Sequence, residues 1–106
     1  MNVREGVKIV INYILLEGII KDDPQLVKID KYSKIQFRLD FTFYSNKKGY
    51  INCSIWNEKA GELAYLEKGM KIVATGNLVP LEWSNKKTGL KSHGLEFRIT
   101  DVRKII

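Results

Sequence analysis

The sequence predicts an all-β domain closed into a small barrel, and three observations carry that prediction. Apolar and polar residues alternate without a fault along "KIQFRLDFTFY", turn signals separate several further runs rich in β-branched and aromatic residues, and only one segment has helical spacing. The 106 residues form one domain, 1–106, long enough to bury roughly 60–70% of the surface its unfolded chain exposes.

Each element follows from local chemistry. Val7 to Ile20 reads as a first strand in which Gly18 marks a bulge or bend. "KDDP" ends it, because Pro24 has no N–H and turns the preceding residue away from helix. "QLVKI" is a short strand segment. Along Lys34 to Tyr44, one face carries Ile35, Phe37, Leu39, Phe41 and Phe43, the other Lys34, Gln36, Arg38, Asp40, Thr42 and Tyr44. "SNKKG" makes a loop, and Tyr50 to Trp56 returns as the hairpin partner. Asn57 is placed to cap a helix over 58–68, with Ala60, Leu63 and Ala64 as its apolar stripe and Gly69 as its stop. A strand over 71–83 follows, bent at Gly76 and marked as an edge or bulge by Pro80. The polar loop 84–94 leads to a last strand beginning at Leu95. Counted without the short "QLVKI" segment, the order is three strands, a helix, then two strands, and five strands with one helix between the third and fourth is the OB-fold arrangement. An SH3-like barrel is the competitor, but it does not normally hold a helix at that point.

Composition narrows the function. No apolar run approaches the ~18 residues of a membrane span. Val7 to Ile20 is interrupted by Lys8, Asn12, Glu17 and Gly18 with no small-residue cleavage site after it, so a cytoplasmic protein with no membrane partner is expected. Cys53 is the one cysteine and sits on an inner strand face, and His93 is the one histidine, so neither a metal site nor a Cys/His nucleophile has its partners. There is no phosphate-cradling glycine loop and no paired carboxylate in a cleft, so neither an enzyme nor a cofactor is expected. A net charge of +6 favours polyanions.

"YINCSIW" sharpens this. Its odd face, Ile51, Cys53 and Ile55, is small and apolar, while the face expected to be wet carries Tyr50 and Trp56 with Asn52 between them. Every base has a π-face, so outward aromatics are platforms for single strands of any sequence, worth ~1–3 kcal/mol per base. Arg38 lies on the neighbouring wet face. Lys47 and Lys48 precede Tyr50, and Lys86, Lys87 and Lys91 follow Trp83, as two basic flaps suited to neutralising phosphates.

Three blocks in order also resemble the bacterial single-stranded DNA-binding proteins: "NYILLEGIIKDDPQL", then "YINCSIW" with "YLEKGMKIVATGNL", then "LEWSNKKTGLKSHGLEFRITDV". The resemblance implies that Tyr50, Trp56 and Trp83 stack on bases. It places a further aromatic at Tyr44 or Phe43, of which the alternation favours Tyr44. It implies single-stranded DNA binding in replication, recombination or repair, with RNA as an alternative strand. A homo-oligomer is expected, a dimer built on the doubly apolar first strand, with a tetramer left open. The chain departs from the family in stopping at Ile106 without a linker and acidic tip, and in having "QLVKIDKYS" where a glycine-containing turn is usual. A primosome or replication-restart component that mainly bridges other proteins is the second reading.

Overall fold

The computed structural model describes residues 10–105. Within them the chain forms β1 (Ile14–Ile20), β2 (Gln25–Ile29), β3 (Tyr32–Tyr44), β4 (Lys47–Trp56), α1 (Asn57–Glu62), β5 (Lys71–Ser84) and β6 (Lys91–Lys104). Six strands in one sheet stand where five were expected. The sixth comes from the break at Lys21–Pro24, where Pro24 cannot donate to a ladder. Both pieces of the broken strand lie antiparallel along one edge of β3. β2 pairs with its first half, from Gln25↔Gln36 to Ile29↔Tyr32, and β1 meets its second half at Ile19↔Asp40 and Ile20↔Leu39.

The remaining pairings carry the sheet round. β4 covers the other edge of β3, β6 runs parallel to β4, β5 is antiparallel to β6, and β1 is antiparallel to β5 from Ile14↔Gly76 to Ile19↔Lys71. The order of neighbours β1–β5–β6–β4–β3 therefore returns to β1. Inside lies one apolar cluster with Phe37, Leu39, Ile55, Ile72 and Phe97 at its centre. The register Phe37↔Cys53↔Phe97↔Leu78 crosses four strands as an inner row. The adjacent row must then face outward, by the two-residue period of strands. Buried Cys53 has its thiol pushed up to about 12 by that burial, which leaves it an inert core group.

Two glycines let the backbones cross closely. A Cβ on Gly18 would collide with the Asp40 carbonyl oxygen, and one on Gly76 with the Arg98 carbonyl. The ladder shifts register between Thr75 and Gly76, the bend expected there. Pro80 lies on the outer part of β5, where β6 is the only ladder partner among the described residues, so its missing donor costs no second ladder.

Several boundaries differ from the sequence expectation. β1 begins at Ile14 because Asn12 pairs through its side chain. The Asn12 carboxamide donates to the Leu78 carbonyl and accepts from the Leu78 N–H, both at 2.8 Å, and the Asn77 amide donates to the Asn12 carbonyl. Residues 7–9 of the expected strand lie outside the described residues. The alternation in β3 fails at its end: Phe41 is half-buried and Phe43 is 62% exposed, because the pairing with β4 slips between Thr42 and Tyr44. The hairpin loop is only Ser45–Asn46, so Lys47, Lys48 and Gly49 belong to β4. β6 likewise begins at Lys91, shortening the expected loop to 85–90.

The helix is six residues long and Asn57 does not cap it. With φ of 53°, Asn57 turns its Oδ1 to accept from the Ser33 N–H at 3.3 Å, tying the corner after β4 to the β2–β3 hairpin. Ala60, Leu63 and Leu66 are buried and Ala64 is exposed, since the chain unwinds after Glu62 into turns that reach Gly69 at φ 90°.

The glycine crossing gives a direct test. Gly76→Ala is expected to lower stability by about 1–3 kcal/mol, since the added methyl has only backbone to displace. Urea unfolding with an unchanged midpoint would contradict the close approach.

Candidate nucleic-acid interface

The outward row beside Phe37–Cys53–Phe97–Leu78 is Arg38↔Asn52↔Glu96↔Val79, flanked by Asp40↔Tyr50 on one side and Gln36↔Ser54↔Arg98 on the other, with Lys34↔Trp56 beyond. Leu81 and Trp83 follow Val79 at two-residue steps and so share this face. The sheet thereby brings Arg38, Tyr50, Asn52, Trp56 and Trp83 onto one surface. Lys21, Gln36, Arg38, Asn52, Leu81 and Glu96 are among the residues lining an open concavity of about 770 Å³ upon it.

Tyr50 is 55% exposed, with the Lys21 ammonium 5.1 Å and the Arg38 guanidinium 5.4 Å from its ring centre. Arg38 is held in place by Asp22, its Nε donating to both carboxylate oxygens at 3.1 and 3.0 Å. That hydrogen bond holds the Asp22 carboxyl below its ordinary value and Arg38 above its own. Lys21 lies 3.7 Å from Asp40. The acidic groups here orient cations against an aromatic ring.

Trp56 stands differently from the expectation of a fully wet platform. It is half-buried, and its Nε1 donates at 3.1 Å to Ser54 Oγ, a residue buried completely on the outward row. Lys34 from β3 and Arg98 from β6 approach its ring centre to 5.0 and 5.2 Å. Two neighbouring strands thus each set a cation on the indole, an attraction of roughly 0.5–1 kcal/mol apiece at exposed sites.

Trp83 is 52% exposed and lies across Gly94, where a Cβ would come within 3.1 Å of the ring. The bare backbone there gives the indole room to lie over the strand. Beyond it the hairpin ends in a built turn. Asn85 Oδ1 accepts from the N–H groups of Lys87 and Thr88, its own N–H donates to the Leu90 carbonyl, and Gly89 takes φ 70°. Such a side-chain-supported turn holds Lys86 and Lys87 at the tip. Lys91 is not gathered with them: it pairs with Glu82 at 3.3 Å, and its register with Ser84 places it on the reverse side of the hairpin from Trp83. At the end of the β3–β4 hairpin, Tyr44 is 71% exposed and pairs in register with Lys47, and Lys48 with Thr42. Tyr44 therefore stands toward the hairpin tip, away from the Asp40↔Tyr50 pair.

Sequence reasoning passed over Tyr32, Lys34, Lys21 and Arg98. Tyr32 has the same parity as Lys34 and Arg38 and is 47% exposed, a signal available once β3 is extended back by two residues. Among the described residues no group of three or more His, Cys, Asp or Glu could hold a metal ion. No helix among them is long and apolar enough to cross a membrane. The surface offers aromatic rings, cations and a shallow groove, a set suited to holding a flexible polyanion with flat groups.

No protein-family model matches the chain, and no curated protein matches it in sequence. Among solved structures it is similar to the second single-stranded DNA-binding protein of Mycobacterium smegmatis. The identity is 21%, the match covers 89% of this chain and 88% of that one, and the TM-score is 0.67. At that identity what the two chains share is the fold: this chain is built on the same fold as that single-stranded DNA-binding protein.

Proposed function

We propose that the protein binds single-stranded DNA without strict sequence requirement, as a five-stranded OB barrel in which β1 and β2 are the two halves of a divided first strand. The observation that carries the proposal is the outward row of aromatic rings with cations against them. Bases stack on Tyr50, on Trp83 and on the open part of Trp56, while Arg38, Lys34 and Arg98 meet phosphates or base edges beside the rings. Asn52, between Tyr50 and Trp56, supplies a neutral hydrogen-bonding group. Lys47, Lys48, Lys86 and Lys87 add charge at the hairpin tips, and Tyr44 an outlying ring. The work is binding rather than catalysis, and it fits a part in replication, recombination or repair within the cytoplasm. RNA is the alternative strand, because stacking does not test the 2′-hydroxyl.

Tyr50→Ala and Trp83→Ala are each expected to weaken oligo-dT binding by about 1–3 kcal/mol with thermal unfolding unchanged. Titration of oligo-dT, oligo-rU and duplex competitors reads this, and variants that bind oligo-dT as the wild type does would overturn the stacking assignment. Trp56→Ala is a poorer probe, since the half-buried indole and its bond to Ser54 also support the fold.

Lys86→Ala with Lys87→Ala is expected to flatten the dependence of log affinity on log salt by about 0.7 for each phosphate left without its lysine. A slope equal to that of the wild type would remove the β5–β6 hairpin from the binding surface.

The protein is also proposed to form a homodimer, or a tetramer built from dimers, across β1. Val10, Ile11, Tyr13 and Leu15 are exposed, and among the described residues the edge of β1 from Ile14 to Gly18 facing away from β5 pairs with nothing. A second copy's β1, related by a two-fold axis, would satisfy that edge and cover the apolar side chains. Sedimentation equilibrium at micromolar concentration is expected to show a mass of at least twice 12.3 kDa. The monomer mass alone would overturn it.

A further inference from the structure

Beyond the end of the outward row lies a further open concavity, of about 420 Å³, lined by Ile29, Tyr32, Trp56, Asn57 and Arg98. Clefts that hold small ligands begin at roughly 300 Å³. Its construction is specific. The β2–β3 hairpin turns at Asp30, φ 51°, and sets Ile29 and Tyr32 on one side, while the Asn57 carboxamide bonds Ser33 and fixes that hairpin against the end of β4. Trp56 supplies a second aromatic wall, oriented by Ser54. The remaining polar group is Arg98. Its Nη2 is 3.6 Å from Glu96, an ion-pair distance rather than a hydrogen bond, and its Nε is buried with no hydrogen-bond partner.

We infer that this cavity takes one base of the bound strand, splayed into contact with Tyr32 and Trp56, and that Arg98 makes it a position that prefers guanine to adenine. The inference rests on the single-strand reading above. A buried guanidinium donor without a partner is costly, and an occupant with two adjacent acceptors removes that cost. Guanine presents O6 and N7 side by side, the pair that matches the guanidinium fork. Adenine replaces O6 with a donor and thymine separates its two carbonyls with the N3–H, whereas cytosine also offers adjacent acceptors, N3 and O2, so the position separates guanine from adenine and thymine. The Arg98 side chain is 44% exposed, so the guanidinium has room to turn from Glu96 toward the base edge. Every other site on the face remains indifferent to sequence, so the protein gains one preferred position rather than a recognition code.

The test uses oligo-dT strands carrying one central purine, since a strand free to slide places its best base in the cavity and thymine lacks the adjacent acceptor pair. The strand with one guanine is expected to bind about fivefold or more tightly than the strand with one adenine, which stacks equally well but lacks the acceptor pair. Hypoxanthine, which keeps O6 and N7, is expected to match guanine, and 7-deazaguanine to fall toward adenine. Arg98→Lys, which keeps the charge and loses the fork, is expected to erase the guanine advantage, read as the ratio of affinities for the guanine and adenine strands within the variant. Equal affinity for the guanine and adenine strands in a wild-type protein that binds oligo-dT overturns the pocket alone. So does an advantage that survives in Arg98→Lys. Failure of the wild type to bind oligo-dT overturns the single-strand reading and the pocket with it.

Discussion

The fold depends on two places where one backbone passes over another with no side chain between them. At Gly18 β1 presses on the Asp40 carbonyl, and at Gly76 β5 presses on the Arg98 carbonyl. These contacts let β1 serve two neighbours, β5 along most of its length and β3 at Ile19 and Ile20, so the sheet turns back upon itself. Once it does, Phe37, Cys53 and Phe97 fill one enclosed row with half-buried Leu78 at its end, and the alternate residues are committed to the opposite face. The proposed binding face is the necessary reverse of the core.

That face shields its own aromatics. In the free protein each principal ring on β4 carries two cations, Lys21 and Arg38 at Tyr50, Lys34 and Arg98 at Trp56. Cation–π contact at an exposed site contributes about 0.5–1 kcal/mol, so two cations on one ring give about 1–2 kcal/mol, of the same order as the ~1–3 kcal/mol of a stacked base. On the proposed function, a strand replaces these contacts with stacked bases and offers each displaced cation a phosphate oxygen, so the balance tips only when both arrive together. Without a strand the aromatic surface is partly covered, which limits its liability as an exposed apolar patch.

Much of this was legible because strands write their faces into the sequence with a period of two. The face of Lys34, Gln36, Arg38 and Asp40, and that of Tyr50, Asn52 and Trp56, are outward as alternation requires. What alternation could not foresee were changes made by partners. Phe43 left the interior because the register with β4 slips beside it, and a slip is a property of two strands together. Trp56 is half-covered because Ser54, on the same face, retreats beneath the indole and takes its N–H. Asn57 read as a helix cap, yet its carboxamide is claimed by Ser33, 24 positions away. Tyr32 and Arg98 came to Trp56 through pairings that no local window contains.

The distribution of charge separates two tasks. On the sheet, Asp22, Asp40 and Glu96 stand against Arg38, Lys21 and Arg98, so the floor of the groove is close to neutral and its cations are held in defined directions. No ion pair among the described residues involves Lys47, Lys48, Lys86 or Lys87, which sit in the outer ends of two hairpins. Charges in water are felt over a Debye length, about 8 Å at physiological salt, so on the proposed function these lysines would act on an approaching polyanion before any base touched a ring. Salt would weaken that first attraction, whereas the proposed stacking on Tyr50 and Trp83 would draw on dispersion and desolvation that salt barely alters. On the proposed function a strand is gathered by the tips and retained by the floor, where Asp22 holds Arg38 by two contacts while Glu96, at 3.6 Å, leaves Arg98 room to turn.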